Sequence, residues 1–274
     1  MKKKISIAAV ISILTLTASA QTYEQYVEAG NRLAQHDSLT QAEEQYRNAL
    51  RLAPEDYRNA LIYANLAKVQ LAQGQSQKAL NSYELALGIV PRNVPILKSR
   101  ADLYLKLGNL TKALIDYRNI LEVDPNNTEA LQYLGYIYTK QREYAKAKTH
   151  YERLLSIEPD NYTGLLGVAI LFQECGKPGE AMSRLSVLAD KYPDRAEIYS
   201  MRAEIEAEAN QPELAIMDLD KAISLQPDNK NMILTRGFIH LKNNNKFLAK
   251  RDFERAIALG VPRGQLKKEL KMVK

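Results

Sequence analysis

From Tyr23 onward, apolar residues recur at intervals of three and four. Leu131, Leu134 and Tyr138 mark one stretch, and Tyr144, Ala147, Tyr151 and Leu154 mark the next. With 3.6 residues per turn, such positions share one side, so each stretch predicts a helix with one buried face. The stretches come in pairs. The first helix of a pair stops where Gly74, Gly108 or Gly176 can supply a left-handed C-terminal cap. The second stops at a proline, whose ring and missing N–H cannot continue a helix. Just past the proline, Asn127-Thr128, Asp160-Asn161 and Asp228-Asn229 offer side chains that cap the next helix start.

The pairs repeat. Pro54, Pro91, Pro125, Pro159, Pro193 and Pro227 are spaced 37, 34, 34, 34 and 34, and Pro262 follows 35 later. Two ladders of small residues keep the same register. One runs through Gly30, Ala67, Ala101, Gly135, Ala169, Ala203 and Gly237, the other through Ala42, Ala79, Ala113, Ala147, Ala181, Ala215 and Ala249. At average Ala and Gly usage, one such ladder arises by chance on the order of 10⁻⁵ of the time. Small residues belong where paired helices come closest. Tyr46, Tyr83, Tyr117, Tyr151, Leu185, Leu219 and Phe253 are the bulky residues that fill the space between successive units.

A 34-residue helix-turn-helix with small residues at its eighth and twentieth positions and proline near its end resembles the tetratricopeptide repeat (TPR) unit. The resemblance runs over residues 21–263 as seven repeats, at 23–56, 60–93, 94–127, 128–161, 162–195, 196–229 and 230–263. It implies an all-α, superhelical solenoid of antiparallel helix pairs. Tyr26, Tyr63, Leu97, Leu131, Leu165, Tyr199 and Ile233 stand where the family carries Trp. Tyr57 to Asn59 separate the first two units. The stretch 264–274, with Leu266, Leu270 and Val273 on one helical face, is expected to cap the last repeat.

Residues 1–20 have the form of a cleavable export signal. Lys2, Lys3 and Lys4 precede an apolar run from Ile5 to Leu16, and Ala18-Ser19-Ala20 supplies a cleavage site after Ala20. Taking three lysines from a formal charge of +6 leaves +3 on the remaining 254 residues. With acids and bases interspersed, that lacks the basic stripe nucleic acid requires. One cysteine, Cys175, forms no internal disulfide. It is either a buried or inert thiol or a point of intermolecular linkage. The reading is an exported chain of the bacterial periplasm or envelope.

Seven units leave 16 of the 254 residues, no room for a separate catalytic domain, so the expectation is a non-enzymatic chain without cofactor or metal. His36, His150 and His240 lie in different repeats and are expected to face solvent or line a groove. Glu197, Glu204, Glu206 and Glu208 are expected to form a solvated acidic patch.

The TPR resemblance also implies a concave face lined by the first helix of each repeat. Transferring its inward positions gives a candidate groove of Asn31, Asn65, Lys68, Lys98, Asp102, Tyr133, Tyr136, Lys140, Met201 and Phe238. Tyr133 and Tyr136 are either binding anchors or simply bulky packing residues in a chain with 16 tyrosines. The carboxylate clamp of chaperone-binding TPR domains is broken here. Asn31 and Asn65 match it, but Val27, Pro95 and Ser99 hold its cationic positions. The expected function is an envelope adaptor that binds a partner polypeptide in the groove. The alternatives are an accessory subunit of an envelope enzyme or of a transport or assembly machine, and a structural protein self-associating through its repeat ends or Cys175.

Overall fold

A computed structural model describes residues 22–273; the export-signal reading for residues 1–20 falls outside them. Helices are the only regular elements among the described residues. In chain order they are α1 (Tyr23–Gln35), α2 (Leu39–Leu52), α3 (Asn59–Ala72), α4 (Ser76–Ile89), α5 (Val94–Lys106), α6 (Leu110–Val123) and α7 (Thr128–Lys140). There follow α8 (Tyr144–Ile157), α9 (Tyr162–Glu174), α10 (Pro178–Lys191), α11 (Ala196–Glu208), α12 (Pro212–Leu225), α13 (Lys230–Lys242) and α14 (Lys246–Ala258). A 3₁₀ turn, Arg263–Leu266, leads into a short α15 (Lys267–Met272). The chain forms two compact units, one up to Leu103 and one from Tyr104 on.

Local chemistry sets the boundaries. The residue before each repeat proline leaves the helical region: Val90 has φ −128° and ψ 75°, Glu158 −125° and 82°. The proline ring crowds a preceding residue out of the α conformation, so the helix ends one residue earlier still. Asn127, Asn161 and Asn229 then accept backbone N–H bonds from Ala130, Gly164 and Met232 and cap the next start. Between the helices of a pair the chain turns through a left-handed residue. Gly74, Gly108 and Gly176 take that conformation, but Asp37, Arg142, Asn210 and Asn244 take it in other repeats.

Within the first unit α1 packs on α2, α2 on α3 and α3 on α4. Tyr23, Tyr46, Leu66 and Val69 are buried in its core. The Tyr57 to Asn59 insert is tied down. Asn59 is fully buried, with its amide N–H on the carbonyls of Ala53 (2.7 Å) and Pro54 (3.1 Å) and its oxygen receiving the Tyr23 hydroxyl (3.0 Å). Arg58 lies over the Tyr23 ring and pairs with Asp56 and Glu24.

In the second unit, each helix from α7 to α14 packs on the one before it. The glycines explain how closely. A methyl group added at Gly135 would lie 2.6 Å from Tyr151 Cε1, and one at Gly167 only 2.4 Å from the same atom. Tyr151 therefore sits between a glycine of its own repeat and a glycine of the next. A continuous apolar core runs on through Leu185, Leu219 and Phe253 to Leu266 and Val273, so the C-terminal segment packs onto the last pair.

Candidate functional site

In the unit up to Leu103 the ninth positions of the repeats' first helices hold Asn31 and Lys68, both exposed, and Asp102. Asn31 Oδ1 accepts from the Tyr46 hydroxyl at 2.8 Å and from Asn65 Nδ2 at 3.2 Å, so Asn31 and Asn65 are brought together. Lys98 and Asp102 lie half-buried one turn apart on α5.

In the unit from Tyr104 on, the ninth positions form a row of Tyr136, Ile170, Glu204 and Phe238. Tyr136 is 43% exposed with Lys140 Nζ 5.8 Å from its ring centre. Phe238 is 44% exposed and sets an edge against buried Phe253 at 5.3 Å. Glu204 lies between them in sequence register, and burial together with the nearby Glu208 charge raises its pKa above the usual carboxylate value. Tyr133 and Met201 are placed differently. Tyr133 stacks on fully buried Tyr117 at 4.9 Å and 20°, and Met201 packs half-buried on the core. Both are half-buried against the interior.

Three expectations are corrected. His240 faces neither solvent nor a groove. It is 5% exposed beside Arg236 and Asp252, and burial lowers its pKa. The acidic residues of α11 are not one solvated patch. Glu197 accepts the Tyr162 hydroxyl at 2.8 Å, and Glu206 is 5% exposed, its pKa pushed up to about 7 by burial and by the Asp218 charge. The buried alternative for Cys175 does not hold either, since its side chain is exposed.

Behind these corrections lies a feature the sequence reading missed. Arg202 pairs with Asp218 at 2.9 Å, and Arg236 holds Asp252 through two bonds while reaching Asp220 at 2.5 Å. Each main pair joins the two helices of one repeat across 16 residues. The signal was present as Arg202/Asp218 and Arg236/Asp252 at one spacing, both in the 34-residue register. Asp218, Arg236 and Asp252 are buried between the paired helices, while Asp220 stays exposed.

Family models described as tetratricopeptide repeat match residues 17–94, 99–162, 138–205 and 196–229. The chain belongs to the tetratricopeptide repeat family, and its fold is the all-α TPR solenoid. It resembles a tetratricopeptide repeat protein from Parabacteroides merdae at 30% identity and a TM-score of 0.77, over 93% of this chain and 99% of that one. It also resembles PilW, described as a widely conserved type IV pilus biogenesis factor, at 21% identity and a TM-score of 0.63, covering 73% and 92% of the two chains. YrrB, described as a TPR protein with an unusual peptide-binding site, matches at 20% identity and a TM-score of 0.53, covering 69% and 95%. No curated protein sequence matches the chain. Among the described residues, no helix is long and apolar enough to cross a membrane.

Proposed function

We propose that this chain is an exported, non-enzymatic adaptor of the bacterial envelope that holds a partner polypeptide against the first helices of its repeats. The observation that carries this reading is the row of Tyr136 and Phe238, two aromatic side chains each more than two-fifths exposed at the same register of repeats three apart. Exposed rings on a rigid helical support give large contact area at low entropic cost. Ile170 adds apolar surface and Lys140 a cation to the same row. Asn31, Asn65 and Lys68 offer amide and ammonium groups suited to a peptide backbone or a carboxylate. Lys98 and Asp102 extend that polar set.

The test is in-cell photocrosslinking with a photoreactive residue at Tyr136, and a second at an exposed second-helix position such as Met217 as control. Capture of one dominant envelope protein at Tyr136 and not at Met217 is the expected result. No capture, or equal capture at both positions, overturns the reading.

A further inference from the structure

On α9, Val168 stands about 200° around the helix from Ile170, on the side away from the exposed row. There α8, α9 and α10 border an open-mouthed cavity of about 400 Å³. Its floor is apolar, built from Leu155, Val168, Leu171 and Phe172. A volume in the range of known ligand sites with an apolar floor calls for an apolar occupant.

The mouth carries the specificity. Lys148, Lys177 and Arg184 border it, against Glu152 as its one bordering carboxylate. Lys148 and Lys177 meet Glu152 and Glu180 only at 3.5 and 3.4 Å, in exposed pairs that contribute little. Arg184 lies 5.9 Å over the Phe172 ring and pairs with no carboxylate among the described residues. Three cations come from two helices and the turn between α9 and α10, so three separate segments bring positive charge to the cavity. A fatty acid brings one carboxylate, whereas a chain with acidic residues on both sides of an apolar one can answer all three.

We propose that this cavity is a second docking site, for a partner segment that buries one large apolar side chain and sets flanking Asp or Glu residues against Lys148, Lys177 and Arg184. The site is independent of the Tyr136 row. The exposed thiol of Cys175 borders the cavity and reports its occupancy.

The experiment selects random nine-residue displayed peptides on the purified chain, then measures maleimide labelling of Cys175 with synthetic copies of those recovered. The expected peptides carry Leu, Ile, Met or Phe between acidic residues and slow the labelling about ten-fold, a difference near 1.4 kcal/mol of binding. Lys177→Glu with Arg184→Glu should abolish that protection, and Tyr136→Ala should not. Both cations are exposed, and circular dichroism verifies that the charge-reversed chain is folded; Lys177→Ala serves as the milder variant. Recovery of peptides without acid-flanked apolar residues overturns the proposal. So does unchanged Cys175 labelling, or protection by dodecanoate where the peptides give none. None of those outcomes bears on crosslinking at Tyr136.

Discussion

Arg236 and Asp252 meet fork to fork inside the last helix pair, with Nε to Oδ2 at 2.8 Å and Nη2 to Oδ1 at 2.7 Å. Asp252 is 1% exposed, so the pair has little water to fall back on. Removing one partner of such a pair strands the other and costs about 3–5 kcal/mol, whereas replacing both with apolar side chains is often neutral. Asp252→Ala is therefore expected to lose about 3 kcal/mol or more, and Arg236→Met with Asp252→Leu to recover most of it. Hydrogen exchange of α13 and α14 is the appropriate measurement, because repeat arrays open locally rather than as one unit. Equal losses in the single and double variants would contradict the account.

In the preceding repeat, Glu206 occupies the place that His240 holds beside Arg236, and one arginine there serves two carboxylates. Burial and the Asp218 charge push Glu206 up to about 7, against roughly 4.3 in an unfolded chain. A carboxylate raised in the folded state keeps its full contribution below the unfolded value and loses it as pH climbs toward 7. Glu206→Gln should therefore stabilise the chain more at pH 8 than at pH 5. Urea midpoints of parent and variant across that range decide the point; a constant difference would rule it out.

Arg142 takes a left-handed turn with φ 60° where Gly74, Gly108 and Gly176 do the same work in other repeats. A side chain there crowds the following carbonyl by roughly 1–2 kcal/mol, partly offset by the greater freedom glycine gives the unfolded chain. Arg142→Gly is expected to gain up to about 1 kcal/mol, read as a higher melting temperature.

Tyr136 and Gly167 separate contact surface from packing. Tyr136→Ala should leave the melting temperature within about 2 °C of the parent, since nearly half of the ring is already in water. Gly167→Ala forces a methyl group onto Tyr151 and should cost about 1–3 kcal/mol despite adding one carbon. If the ranking were reversed, Tyr136 would belong to the core.

The repeat itself was legible because its constraints are steric and local. A proline and a small residue under a bulky one each leave a mark at one position, and repetition makes the marks legible; the left-handed turn leaves one only where glycine fills it. Arg202 and Asp218 were not, since charged residues on an amphipathic helix are ordinarily assigned to solvent. Only the facing helix shows that they enclose each other. Tyr133 and Tyr136 differ for a similar reason. They are three residues apart on α7, and nothing in that spacing says that Tyr117 from the preceding helix pair claims one ring and leaves the other exposed.

The position of Tyr151 between Gly135 and Gly167 makes the array less modular than its period suggests. Thirty-four residues beyond Gly167 stands Met201, so excising residues 162–195 would keep the period intact yet set a long thioether where Tyr151 tolerates only hydrogen. Each repeat is in that sense addressed to its successor. Insertions, deletions or swaps of whole units, harmless in an array of identical copies, here become steric errors at the seam, and the order of the repeats is part of what is encoded.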